Sequence, residues 1–186
     1  MALIAGMSMS LDGFVSDRDG SVGALYADLS SGDNDNDPRA AEIVARTGAV
    51  LMGRRTFEMA KDPDAFADTY EFQVPLIIVS SRPPATRPKE NDQLRFIFVT
   101  TGLKKAVAAA KAEAGGRDVT VVGGARTIQS LLNLGLVDEL HIDVVPVILG
   151  DGLRLFENLT ADVRLEQTKV DALPGRTGLR YAVRRR

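Results

Sequence analysis

Val121-Val122-Gly123-Gly124-Ala125-Arg126-Thr127 is the stretch on which the reading of this chain turns. A β-branched apolar run stops at two glycines. A helical pattern through Gln129, Leu131 and Leu132 starts at once and closes at Gly135. A strand handing over to a helix in this way is the βα unit of an α/β sheet. Glycine lets a backbone approach a ligand closely and adopt positive φ, and a helix N-terminus offers free N–H groups suited to a phosphate. The same turn also serves as a tight strand-to-helix connection with no ligand. It is neither GxGxxG nor a glycine-rich loop ending in Gly-Lys-Ser/Thr, so neither of those nucleotide-binding fingerprints is present.

Outward from this unit, strands and helices alternate. Leu3–Ser10 is a buried first strand that stops at Asp12-Gly13. Residues 30–38 are polar and turn-rich and predict an exposed loop. Asp37 is an N-cap and Pro38 the first position of a helix that runs to about Thr47, with Gly48 in the position after its C-cap. Short strands follow at 49–52, 74–80 and 96–101, the second ended by Pro83-Pro84, with irregular chain over 62–72. Residues 104–114 predict a helix closed by Gly115-Gly116, and 119–122 the strand that enters the glycine turn. A long strand over 139–149 carries Pro146 late, a sign of a bulge or an edge. Residues 163–170 and 179–184 alternate polar and apolar and predict an antiparallel closing hairpin. The expectation is one α/β domain over residues 1–186, with a mixed, mostly parallel sheet, helices on both faces and an antiparallel C-terminal hairpin.

Two further strand ends carry phosphate-compatible groups. Gly53-Arg54-Arg55-Thr56 sets two cations and a hydroxyl at a helix start, where positive charge opposes the helix dipole unless an anion is near. Ser80-Ser81-Arg82 supplies hydroxyls and a cation at another. Ligands of open α/β sheets bind beyond the carboxyl ends of the strands. Three such ends suit one extended ligand with several phosphates, and the arginines suit the 2′-phosphate of NADP better than the bare ribose of NAD.

The remaining composition narrows the field. A net charge of −2 gives no global field toward nucleic acid or an acidic membrane. The terminal Arg184-Arg185-Arg186 run is expected to be a solvated tail. The absence of cysteine excludes disulfides, thiolate zinc sites and cysteine nucleophiles, and no metal site is expected. No apolar run approaches the ~18 residues of a membrane span, and the N-terminus lacks a signal-peptide pattern. A cytoplasmic location is the expectation.

Taken in order, Ser10-Leu11-Asp12-Gly13, residues 52–58, Ile78-Val79-Ser80-Ser81, Val122-Gly123-Gly124-Ala125 and Val137-Asp138-Glu139-Leu140 resemble the dihydrofolate-reductase-like superfamily. Residues 146–152 with Leu155-Phe156 look most like the C-terminal reductase domain of the riboflavin-biosynthesis deaminase–reductase, the RibD C-terminal domain family. The resemblance spans residues 3–183. It implies the three-layer dihydrofolate reductase-like fold, bound NADPH, a small-molecule substrate and a homodimer. It implies that Gly53, Arg54, Arg55, Thr56, Ser80, Ser81 and Arg82 hold the adenosine phosphate side. Gly123, Gly124, Ala125, Arg126 and Thr127 would cradle the pyrophosphate, and the loop from Asp12 to about Val22 would cover the nicotinamide. The implied activity is an NADPH-dependent reduction of the 5-amino-6-(5-phosphoribosylamino)uracil reductase type. A pterin reductase, and a non-catalytic NADPH- or flavin-binding protein, are the alternatives.

Hydride transfer needs position, exclusion of water and a proton, not a nucleophile. Asp12, beside the nicotinamide loop, either contacts substrate or caps its turn. Asp143, on the same strand face as His141 and Val145, either faces the cleft or pairs with a cation, because a lone carboxylate in a buried strand is costly. Both are the catalytic candidates, while His141 is read as an ordinary part-buried residue. The chain has no Trp, and Glu42 is the one mid-helix acid where folate reductases carry their pterin-binding acid.

Overall fold

The computed structural model describes residues 1–27 and 37–184. The expected exposed loop at 30–38 therefore falls mostly outside the described residues, as do Arg185 and Arg186. The chain divides into two compact units, one of Met1–Leu3 with Ala41–Gly124, the other of Ile4–Ala40 with Ala125–Arg186.

In the first unit β3 (Thr47–Gly53) runs parallel to β4 (Leu76–Val79) on one side and to β6 (Asp118–Val122) on the other, and β4 pairs in parallel with β5 (Phe96–Val99). The order β5-β4-β3-β6 is wholly parallel, so these strands present their carboxyl ends along a single edge. β3 is buried along its whole length, as a strand covered on both faces must be. Val50, Met52, Leu76, Ile78 and Phe96 form its core with Phe57 from α2 (Arg54–Glu58). The Phe57 ring packs edge-on to Phe96 and Phe98. α3 (Ala65–Thr69), within a stretch that carries no helical periodicity, adds Phe66 to this cluster. α4 (Leu103–Glu113) ends ahead of Gly115 and Gly116, both at positive φ.

α1 (Pro38–Arg46) starts as expected: Asp37 Oδ1 accepts the Arg39 N–H at 2.9 Å, which satisfies one of the free donors of the first turn. Its end differs. The chain passes from Arg46 straight into β3, and Gly48 lies inside the strand instead of capping the helix. The Thr47 hydroxyl takes over the capping, donating to the Ile43 carbonyl at 2.6 Å while Thr120 Oγ1 lies 2.6 Å from it. Glycine is required at 48 for space: a Cβ there would stand 2.0 Å from the Ala114 carbonyl oxygen.

In the second unit β1 (Leu3–Ser10) pairs in parallel with β7 (Glu139–Val145), β10 (Arg176–Arg184) lies antiparallel on β7, and β9 (Arg164–Leu173) antiparallel on β10. The hairpin thus forms as the alternation predicts, with a bulge at Arg180/Tyr181. β7 is paired on both sides and stops at Val145, four residues short of the expected end, because Pro146 cannot donate to the ladder. α5 (Ala125–Asn133) buries Ile128, Leu131 and Leu132 and closes before Gly135 at φ +63°. Two short strands without a sequence signal, β2 (Phe14–Ser16) and β8 (Leu153–Arg154), pair as an antiparallel ribbon. The strands are mixed and mostly parallel, with an antiparallel hairpin at the C-terminal end, as expected. Among the described residues no helix is long and apolar enough to cross a membrane.

Candidate cofactor site

The register of β3, β4 and β6 sets three chain reversals side by side at one edge of the first unit. Gly53 pairs with Val79, and Leu51 with Val121, so the residues that follow each strand leave at the same level. The Gly124 N–H donates to Thr56 Oγ1 at 3.0 Å, which fastens the start of α2 to the glycine pair. Gly123 sits at φ +63°, a conformation L side chains rarely adopt, and a Cβ on Gly124 would meet Thr56 Oγ1 at 3.2 Å. Gly53, Thr56, Gly123 and Gly124 are thereby brought together. Ala125, Arg126 and Thr127 follow Gly124 as the first turn of α5, with no acidic residue in that turn.

The cations at this edge differ in availability. Arg54 Nε is held at 2.6 Å by Glu58 Oε1 one turn along α2. Arg55 is exposed, and among the described residues its guanidinium has no hydrogen-bond or ion-pair partner. At the end of β4 the Ser80 hydroxyl donates to the Arg82 carbonyl and accepts the Arg82 N–H, a local turn that leaves Ser81 and the Arg82 side chain exposed. Within the first unit the positive-φ turn at Gly123, the Thr56 hydroxyl and the exposed guanidiniums of Arg55 and Arg82 form a donor set that fits a phosphate.

The two acidic candidates lie in the second unit, and neither is free. Asp12 Oδ1 accepts the Ser10 hydroxyl at 2.6 Å and the Leu149 N–H at 3.1 Å, and Oδ2 accepts the Gly150 N–H at 2.7 Å. The Ser10 hydrogen bond, with those of Gly150 and Leu149, outweighs partial desolvation and lowers its pKa to about 2. Asp143 Oδ1 accepts Arg39 Nη1 at 2.9 Å, and its Oδ2 accepts Arg176 Nη1 at 3.4 Å. Asp143 is thus paired with cations, one of the two expectations for it.

A model of the RibD C-terminal domain matches residues 1–179, nearly the whole chain. The chain belongs to the RibD C-terminal domain family. Its relative YwjB of Bacillus subtilis (strain 168), an uncharacterized protein, is 28% identical over 159 residues, covering 86% of this chain and 84% of YwjB. A solved structure from Shewanella sp. PV-4, of a protein assigned by name to riboflavin biosynthesis, superposes with a TM-score of 0.80 at 24% identity over 100% of both chains. Dihydrofolate reductase from Enterococcus faecalis, solved with NADP(H), gives a TM-score of 0.61 at 16% identity over 98% of this chain and 96% of that one. The fold is thus dihydrofolate reductase-like.

This RibD C-terminal domain also holds polar residues that the sequence reading passed over. Arg39 binds both Asp37 and Asp143. Arg176 is buried, with Nη1 on Ser8 Oγ and Nη2 on the Leu25 carbonyl. For Asp37, burial raises the pKa, but the hydrogen bonds and charge of Arg39 overcome it and the net shift is downward. A mid-strand Asp143 signals that a cation must exist, but two arginines so distant in sequence carry no local signature of the pairing.

Proposed function

We propose that this chain is an NADPH-dependent reductase of a small heterocyclic substrate, of the 5-amino-6-(5-phosphoribosylamino)uracil reductase type. The observation that carries the reading is the Gly124–Thr56 hydrogen bond, which joins two glycine-bearing strand ends beside the exposed Arg55. Gly123, Gly124 and the first turn of α5 would take the pyrophosphate, with Ala125, Arg126 and Thr127 contributing. Arg55, Thr56, Ser81 and Arg82 would take the adenosine 2′-phosphate side, with Gly53 and Ser80 shaping the approach. Arg54 contributes less, because Glu58 already neutralises it. When bound, NADPH supplies a hydride from nicotinamide C4 to an electrophilic carbon. The protein's part is to orient and to exclude water. Asp12 and Asp143 hold the substrate side in shape instead of delivering the proton, which then comes from water or from the substrate itself.

The test is a titration with NADPH and NADH followed by thermal unfolding. NADPH at about 100 times its Kd adds about 2.7 kcal/mol, which for a chain of this size raises the Tm by roughly 5–11 °C. No shift with 1 mM NADPH would sink the reading. Oxidation of NADPH in the presence of 5-amino-6-(5-phosphoribosylamino)uracil, followed at 340 nm, then tests the substrate. The reading extends to a homodimer. β9 is an edge strand of ten residues, seven of them exposed in a row, and it leaves apolar Leu165 and Val170 facing solvent; such an edge is a template for pairing.

A further inference from the structure

The loop after β1 and the loop after β7 are joined at many points, all within the second unit. The Leu11 N–H donates to the Val147 carbonyl, and the Leu155 N–H to the Gly13 carbonyl. Between these bonds the Asp12 carboxylate collects the Leu149 and Gly150 amides. β2 and β8 then zip together. Gly152, at φ +138°, passes so near that a Cβ would stand 2.0 Å from the Ser16 carbonyl oxygen. Arg154 lies 4.3 Å over the Phe14 ring and donates to the Asp12 carbonyl. Gln129, buried in α5, donates to the Arg154 and Leu155 carbonyls from beneath. Arg18 pairs with Asp151 at the outer end.

Two large apolar side chains ride on this structure in the open. Leu11 is 65% exposed and Ile148 is 71% exposed. Each is next in sequence to a residue of the joint: Leu11 precedes Asp12, and Ile148 lies between Val147 and Leu149. Loops at the carboxyl ends of such strands are where an open α/β sheet takes its ligand. A polar clasp that costs nothing in mobility on binding is a means of presenting apolar groups to a flat ring.

We infer that Asp12 is a positioning residue: its carboxylate fuses the two loops into one preformed rim that presents Leu11 and Ile148 to the heterocycle being reduced. The inference rests on the reductase reading above and names the residues that would recognise the substrate ring. The rim is assembled before any ligand arrives.

Amide hydrogen exchange of Leu149 and Gly150, read by NMR with and without 1 mM NADPH, tests the assembly. Both amides are expected to be protected to the same degree in the free and NADPH-treated wild type. Protection that develops only with NADPH would overturn the inference, because the rim would then close on binding. Asp12→Ala is expected to speed exchange at both positions by about tenfold or more. Asp12→Asn, which retains one acceptor oxygen, should speed exchange chiefly at Gly150. The role in turnover is read by steady-state kinetics with NADPH and 5-amino-6-(5-phosphoribosylamino)uracil. Asp12→Ala and Asp12→Asn should lower kcat by roughly 10–100-fold, the cost of misplacing reacting groups by about an ångström. Their pH profiles should keep the wild-type shape and their NADPH Kd should stay within about threefold. Faster exchange with unchanged kcat would make the clasp merely structural, and a variant profile lacking a wild-type ionisation would make Asp12 an acid. Leu11→Ser and Ile148→Ser should raise the substrate KM by about tenfold and leave exchange at Leu149 and Gly150 as in wild type; unchanged KM in both would remove the ring-binding role. A wild type that binds no NADPH would fail the reductase reading itself, a result distinct from all of these.

Discussion

At the scale of single residues, the informative contrast is between neighbours of like charge. Arg54 and Arg55 are equivalent in the sequence, yet Glu58 holds the first and, among the described residues, no side chain holds the second. Arg55→Ala should weaken NADPH by about 10–100-fold, the usual worth of a charge-assisted hydrogen bond, and NADH by far less. Arg54→Ala should change both little. Equal losses for the two cofactors in a fluorescence titration would show that Arg55 does not read the 2′-phosphate. Asp118 shows how a residue can matter for stability alone. Burial pushes its pKa up, but the Ala2 N–H and Arg46 pull harder, and the net shift is downward. A carboxylate whose folded pKa lies below its unfolded value near 3.9 contributes fully above that value. The contribution fades as pH falls through the folded pKa. Urea unfolding from pH 7 to pH 2 should therefore show a loss below about pH 4 that is smaller in Asp118→Asn, with about 2 kcal/mol separating the two proteins at pH 7. Glycine pairs and the N-cap at Asp37 were legible because each follows from local chemistry. The partners of Asp143 were not, since Arg39 and Arg176 meet it only through the pairing of distant strands.

At the scale of elements, legibility followed periodicity. Leu3–Ser10 and the glycine-bounded helices α4 and α5 stand within a residue or so of their expected places, as continuous apolar runs and glycine stops dictate. β2 and β8 could not be read, because strands of three and two residues are too short for alternation to register, and what stabilises them is each other. The junction of α1 and β3 misleads for a physical reason. A glycine after a helical run resembles a helix stop, but Gly48 exists to clear the Ala114 carbonyl, while Thr47 does the capping. Gly48→Ala should accordingly destabilise by about 2–4 kcal/mol, the cost of overpacking against rigid backbone. A glycine at φ < 0 with open space around it would instead gain up to about 1 kcal/mol on the same change. Thermal or urea unfolding separates the two outcomes.

At the scale of the whole molecule, the family match runs through both compact units, so the fold is shared along the entire chain and not confined to one of them. The exposed β9 edge makes a definite expectation: light scattering behind size-exclusion chromatography should give twice the 20.0 kDa chain mass, and Val170→Lys, which places a charge on that edge, should give a single chain. A monomeric wild type at tens of micromolar would rule the pairing out. The pairing of β1 with β7 has another consequence. Ile4 lies beside Glu139, so during synthesis β1 emerges well over a hundred residues ahead of this neighbour. At 5–20 residues per second that is a delay of roughly 10 s. Throughout that delay the nascent Leu3–Ser10 segment is a largely apolar ribbon without this partner strand, the kind of edge that invites wrong pairing until the rest of the chain is made.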